Sequence, residues 1–410
     1  MAMTADGAAS ADGGASADGG ASAGGAASAD GAASADGAAS EDGAASEDGP
    51  VQAGATAPAA GTVPGIESIP RLARWLTANG VPAASRLPSV HLIAGGRSNL
   101  TYRLEFPAPS DPARLVLRRP PLGHVLPTAH DMAREYRLIS ALHGTSIPVA
   151  RPVTFCSDAG IIGAPFYVME YVDGLVVRTR DQAAMITPEQ AGLVSDRLAG
   201  MLAAIHQLDV AAAGLGDFGR PEGYLHRQLS RWQRQWELSV SRDVPGYAEL
   251  VARLEAGLPE TSEGTLVHGD FRLDNVLLAI GADPRITAVV DWEMATLGDP
   301  LADLGLTLVY WADPQDTEWI DVQVGATATS GPGFLTRAEF AASYAAKTGR
   351  DLSGIGYYMA FGCFKLAVVL EGINARFLQR KTVGEGFDQE GKAVPVLIQR
   401  AHRMLDSAPL

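Results

Sequence analysis

Between Ala5 and Pro50 the chain has no aromatic or large aliphatic residue and repeats a six-residue unit, Ala-Asp-Gly-Ala-Ala-Ser, with small variations. Such a stretch has nothing to bury, so residues 1–62 read as a disordered acidic low-complexity tail. The first helical periodicity comes between Ile66 and Asn79, where Ile69, Leu72, Trp75 and Leu76 recur on one face. Short β-branched and aliphatic runs follow at Val90 to Ala94, Leu100 to Phe106 and Arg114 to Arg118, separated by turn-prone residues, and they predict an antiparallel meander. A helix over Thr128 to Leu142 and strands at Pro152 to Cys156 and Phe166 to Glu170 complete this half.

Beyond Asp173-Gly174, the expected joint, the pattern becomes mainly helical. Pro188 to His206 predicts an amphipathic helix with Leu193, Leu198, Met201, Leu202 and Ile205 on one side, His206 closing it in a structural or dipole-compensating role rather than as an acid or base. Tyr358 to Phe377 is apolar but interrupted by Lys365, Glu371 and Arg376, which suits a core helix better than a membrane span. Strands early and helices late predict an α+β fold with two lobes, 63–172 and 173–410.

The formal net charge of -15 argues against nucleic acid or an anionic membrane as partner. About -10 of it lies before Arg71, which leaves the body nearly balanced. Cys156 and Cys363 lie far apart among apolar residues, as buried free thiols do, and a reducing cytoplasm fits them. No basic segment followed by an apolar core opens the chain, so neither secretion nor membrane insertion is expected. Nothing in the sequence speaks to oligomeric state.

The chemistry concentrates in His268-Gly269-Asp270-Phe271-Arg272-Leu273-Asp274-Asn275, followed by Asp291-Trp292-Glu293. Phosphoryl transfer from ATP needs a carboxylate at the attacking hydroxyl and oxygen ligands for magnesium, and Asp270 and Asn275 have the five-residue spacing of a kinase catalytic loop. Val276 to Ile280 and Arg285 to Val290 predict a hairpin that brings Asp270, Asn275 and Asp291 to one open end. The structural alternative is a His-Gly-Asp turn whose carboxylates only satisfy loop amides.

Gly95-Gly96-Arg97-Ser98-Asn99 lies between the first two strands, where a loop would cover phosphates through Ser98 and Asn99. The first lysine in the chain is Lys347, so the cation expected on the third strand is an arginine, Arg118 or its neighbour Arg119, with Glu135 as its carboxylate partner. Phe166 to Gly174 reads as a strand crossing between lobes, its Glu170 carbonyl and Val172 amide meeting adenine. Tyr224 to Trp236, with Arg227, Arg231, Arg234, Trp232 and Trp236, is the candidate acceptor segment; an amphipathic helix with Arg outside and Trp inside produces the same string.

With these residues assembled, the chain from about Ile66 to Leu405 resembles the aminoglycoside phosphotransferase family, the small-molecule branch of the protein-kinase-like fold. Gly96 to Tyr102, Leu117 to Gly123, Arg227-Gln228 with Arg231-Trp232, and Thr296 to Gly305 are similar to one branch, the kinase-like domain attached to acyl-CoA dehydrogenases, in which an arginine takes the lysine position. The resemblance implies Asp270 as catalytic base, Asn275 and Asp291 as magnesium ligands, ATP as donor and a small hydroxylated molecule as acceptor. Asp299 and Asp303 match the family too, but their place at the start of a helix points to capping and loop support. An antibiotic kinase and a nucleotide-binding pseudokinase remain open beside a kinase for an acidic or apolar acceptor.

Overall fold

The computed structural model describes residues 63–93, 99–108, 113–122, 130–259, 263–317, 327–379 and 390–407, all within one compact unit. The tail at 1–62, Ala94 at the end of the first predicted strand, Ser98 and the first two residues of the predicted Thr128 helix lie outside the described residues.

Helix α1 (Ile69–Ala78) starts where the Ser68 hydroxyl accepts from the Arg71 amide, and Pro70 fits its first turn. Strands β1 (Ser89–Leu92), β2 (Leu100–Glu105) and β3 (Arg114–Arg119) form the expected antiparallel meander. Helix α2 (Met132–Leu142) is capped by Asp131, and β4 (Pro152–Cys156) and β5 (Phe166–Glu170) close a five-stranded sheet in the order β1-β2-β3-β5-β4. Alternation along the strands divides the sheet between two cores. Phe166 and Val168 join Leu72, Leu76, Tyr102 and Leu117 under α1, whereas Tyr167 joins Leu138, Ile139 and Leu142 of α2.

The chain leaves the sheet through Tyr171 to Gly174. Arg114 holds the Asp173 carboxylate at 2.6 Å, and Leu175 exchanges backbone hydrogen bonds of 2.8 and 2.9 Å with Leu278 across the joint. At Gly174 a Cβ would lie 2.7 Å from that of Leu277, so glycine is needed for this approach.

Beyond the joint come α3 (Arg180–Ala183), α4 (Pro188–His206), α5 (Tyr224–Ser239) and α6 (Tyr247–Ala256). Strand β6 (Thr265–Val267) precedes the hairpin β7 (Val276–Ala279) and β8 (Arg285–Val289), and β9 (Thr296–Gly298) returns to pair with β6. Helices α7 (Pro300–Tyr310), α8 (Arg337–Thr348), α9 (Ile355–Leu378) and α10 (Glu390–Asp406) complete the fold.

Helix α4 begins with a Thr187/Gln190 capping box and Pro188, as its sequence dictates, but its buried stripe is Ala191, Val194, Leu198, Leu202 and Ile205. Leu193, expected inside, is 43% exposed, because 100° per residue places it off that stripe. Helix α9 is the one described helix long and apolar enough to cross a membrane, and 78% of that window is buried inside the protein. Cys156 and Cys363 are both buried free thiols.

Candidate active site

Strands β6 and β9 are only three residues each, yet they fix the base of the loop from His268 to Asn275. Gly269 takes φ +82°, and a Cβ there would meet the Met294 carbonyl oxygen at 2.6 Å. The Asp303 carboxylate, from the first turn of α7, accepts from the amides of His268 at 2.7 Å and Gly269 at 2.9 Å and from His206 Nε2 at 3.1 Å. Burial works to raise the Asp303 pKa, but these donors win and hold it below the usual carboxylate value. Burial likewise lowers the His206 pKa, which keeps the ring neutral, its Nδ1 2.7 Å from the Tyr344 hydroxyl. His206 and Asp303 thus form a buried brace, in line with the structural roles read from sequence, and Asp299 caps α7 through the Leu301 amide at 2.8 Å.

His268 bridges the loop to the hairpin. Its Nε2 donates to the Val290 carbonyl at 3.0 Å, which leaves Nδ1 to accept from the Asp270 amide at 3.3 Å. The Asn275 side-chain amide donates to the Asp270 carbonyl at 2.8 Å and to its carboxylate at 3.1 Å. The Val290 amide in turn donates to the Asn275 carbonyl at 2.9 Å and so brings Asp291 alongside. The hairpin therefore gathers Asp270, Asn275 and Asp291 as its pattern implied. Asp291 adopts φ 67°, ψ 58°, a left-handed conformation costly for a non-glycine residue and characteristic of functional sites. Arg272 is paired with Asp274 and lies 4.8 Å from the Tyr310 ring centroid.

The stacking of the layers on the sheet resolves the choice between the two arginines, which alternation puts on opposite faces. The Arg119 side chain turns away from the site and donates to the Gly65 and Ile162 carbonyls, whereas Arg118 faces the hairpin. Arg118 meets Glu135 of α2 at 3.1 Å, Asp291 at 2.5 Å and Glu293 at 3.2 Å. Burial opposes a charge here, yet the three carboxylates outweigh it and hold the guanidinium firmly protonated. Desolvation pushes Glu135 above its ordinary value against the pull of Arg118; Arg118 brings Asp291 below its own. Glu293 is absent from the sequence-derived set, because its contacts bridge 175 and 194 residues of chain.

Asn99 is buried at the start of β2, and its amide donates to Glu293 at 2.8 Å. Glu170 ends β5, its amide bonded to the Arg151 carbonyl at 2.9 Å and its carboxylate paired with Arg151; Val172 lies two residues on, in the connector. The predicted acceptor segment is helix α5, with Trp232 and Trp236 inside. Arg227 closes the turn before the helix by donating to the Arg220 and Glu222 carbonyls, so this arginine serves the backbone. Between α5 and the His268–Asn275 loop lies a small cavity lined by Gln228, Trp232, Gly269 and Lys365 among others, and Lys365 Nζ donates to the Gly269 carbonyl at 2.9 Å.

A two-lobed α+β fold with an acidic loop, a hairpin aspartate and a buried strand cation defines a small-molecule phosphotransferase of the kinase-like class. The chain belongs to the phosphotransferase enzyme family, whose profile matches residues 89–340. It is 33% identical over 321 residues to acyl-CoA dehydrogenase family member 11 of Rattus norvegicus, which covers 77% of this chain and 40% of that protein. A crystal structure of a candidate aminoglycoside phosphotransferase from Ralstonia eutropha is 30% identical with TM-score 0.68, covering 83% of this chain and 98% of that one. The GDP complex of an aminoglycoside 2'-phosphotransferase, 15% identical, shares the fold with TM-score 0.54 over 82% of this chain and 99% of its own.

Proposed function

We propose that the chain transfers the γ-phosphoryl group of ATP to a hydroxyl of a small acidic or apolar molecule, such as a hydroxyacyl thioester. The observation that carries this reading is the convergence of Asp270, Asn275 and Asp291 on one loop and hairpin, facing Arg118. The donor set fits magnesium, since Asn275 and Asp291 offer hard oxygens and Asp291, at 35% side-chain exposure, is open to solvent. When bound, magnesium supplies charge neutralisation at the phosphates.

Asp270 orients the acceptor hydroxyl and takes its proton as the oxygen attacks phosphorus and the bridging β–γ oxygen leaves with ADP. The Asn275 amide holds the Asp270 carboxylate in place for that contact. Arg118 stabilises phosphate charge, Ser98 and Asn99 belong to the phosphate loop, and Glu170 and Val172 offer backbone groups to adenine. The acceptor side, with Lys365 and Arg231 near Trp232, suits an anion or an apolar group better than a polycation.

The test is magnesium-dependent ATP consumption against hydroxyacyl-CoA compounds, other hydroxy acids and aminoglycosides, with Asp270→Asn as control. Turnover with the acidic class, reduced by about 10²–10⁴-fold in the control, is expected. Turnover with aminoglycosides alone would transfer the assignment to an antibiotic kinase, and magnesium–ATP binding without turnover on any acceptor would favour a pseudokinase.

A further inference from the structure

We propose that Glu293 is a positioning residue that ties the phosphate loop and the strand cation to the metal-side hairpin, an inference that rests on the nucleotide site proposed above. One oxygen of its carboxylate accepts both from the Asn99 amide at 2.8 Å and from Arg118 Nη2 at 3.2 Å. Arg118 is opposite Thr101 in the β2–β3 register, so Asn99, two residues earlier, is its diagonal neighbour on the same face of the sheet. Glu293, two residues beyond Asp291, meets that face from the other lobe.

The exposure of the three carboxylates around Arg118 sets their roles. Glu135 and Glu293 are 4% and 14% exposed at the side chain, while Asp291 is 35% exposed. Asp291 is therefore the contact that exchanges, and Glu135 and Glu293 are the anchors that keep Arg118 in place when Asp291 turns to a metal. Without the Glu293 charge, Arg118 rests more heavily on Asp291, and magnesium must compete with it. Glutamine at position 293 keeps an acceptor oxygen for the Asn99 amide, so the substitution removes charge beside Arg118 while leaving that hydrogen bond available.

The experiment is isothermal titration of the full chain with ATP at graded magnesium, for wild type, Glu293→Gln, Asn99→Asp and the double swap Asn99→Asp/Glu293→Gln. Each single substitution is expected to weaken magnesium–ATP binding about tenfold, the size of one charge-assisted hydrogen bond. Glu293→Gln is also expected to raise the magnesium needed for half-maximal binding, a shift that a merely structural role does not produce. In the double swap the two side chains exchange roles, the amide at position 293 donating to the carboxylate at position 99. The negative charge then stays beside Arg118, so the double swap is expected to bind magnesium–ATP about threefold or more tighter than either single variant. Single variants that bind as wild type does, or a swap that recovers nothing, overturn the proposal. A wild-type chain that does not bind magnesium–ATP sinks the nucleotide site itself, and with it this inference, before any substitution is compared.

Discussion

Asp303→Asn tests whether the catalytic loop is held by one buried carboxylate. Asp303 accepts three hydrogen bonds, from His268 N, Gly269 N and His206 Nε2, and is fully buried. Asparagine keeps one acceptor oxygen, enough for one of the two loop amides. Its NH2 group then faces the other amide, and His206 can answer by changing tautomer, with Nδ1 donating to the Tyr344 hydroxyl. One buried N–H is left unpaired and a charge-assisted bond is lost, which together cost about 2–4 kcal/mol. Urea unfolding at pH 7 measures that difference. The folded pKa of Asp303 is depressed, so its stabilisation is present above the unfolded carboxylate value of about 3.9 and is lost as pH falls through the folded value. The gap between wild type and variant must therefore close in acid. A variant within about 1 kcal/mol of wild type at pH 7, the size of an ordinary hydrogen bond, would refute the brace, as would a gap indifferent to pH.

Gly269→Ala places a methyl 2.6 Å from the Met294 carbonyl oxygen at a φ that L-residues resist, so a loss of about 1–3 kcal/mol is expected together with lost turnover. Thermal unfolding and the ATP assay read the two effects, and wild-type behaviour in both would contradict the loop geometry. His206 is buried and neutral with its pKa lowered, so the unfolded chain binds its proton first as pH drops below about 6.5. Wild-type stability is expected to fall between pH 7 and 5 by up to ~1.4 kcal/mol per unit more than that of His206→Gln, and parallel urea profiles would show that the ring takes up its proton without strain.

Much of this protein is legible locally. The ends of β4, β5 and α4 coincide with their sequence signals, because the Thr187 box, Pro188 and the β-branched runs act within a few residues. The loop from His268 to Asn275 and the following hairpin are likewise short-range, so Asp270, Asn275 and Asp291 could be grouped by spacing alone. Strands β6 and β9 are too short to show a period, and their pairing closes only when distant residues such as Leu266 and Leu297 meet. Leu193 is outside because 100° per residue carries it off the stripe of Val194, Leu198, Leu202 and Ile205, a departure that the helical period by itself contains. Whether Arg118 or Arg119 faces the site depended on which side of the sheet α1 covers, and strand alternation is silent on that until the layers are stacked. Glu293 had no local signal, since a carboxylate acquires its meaning from the charges brought to it. The sequence determined the chemistry available to the loop and the hairpin, and only the tertiary structure decided which distant side chains complete it, because buried ion pairs are set by packing across the whole chain rather than by spacing along it.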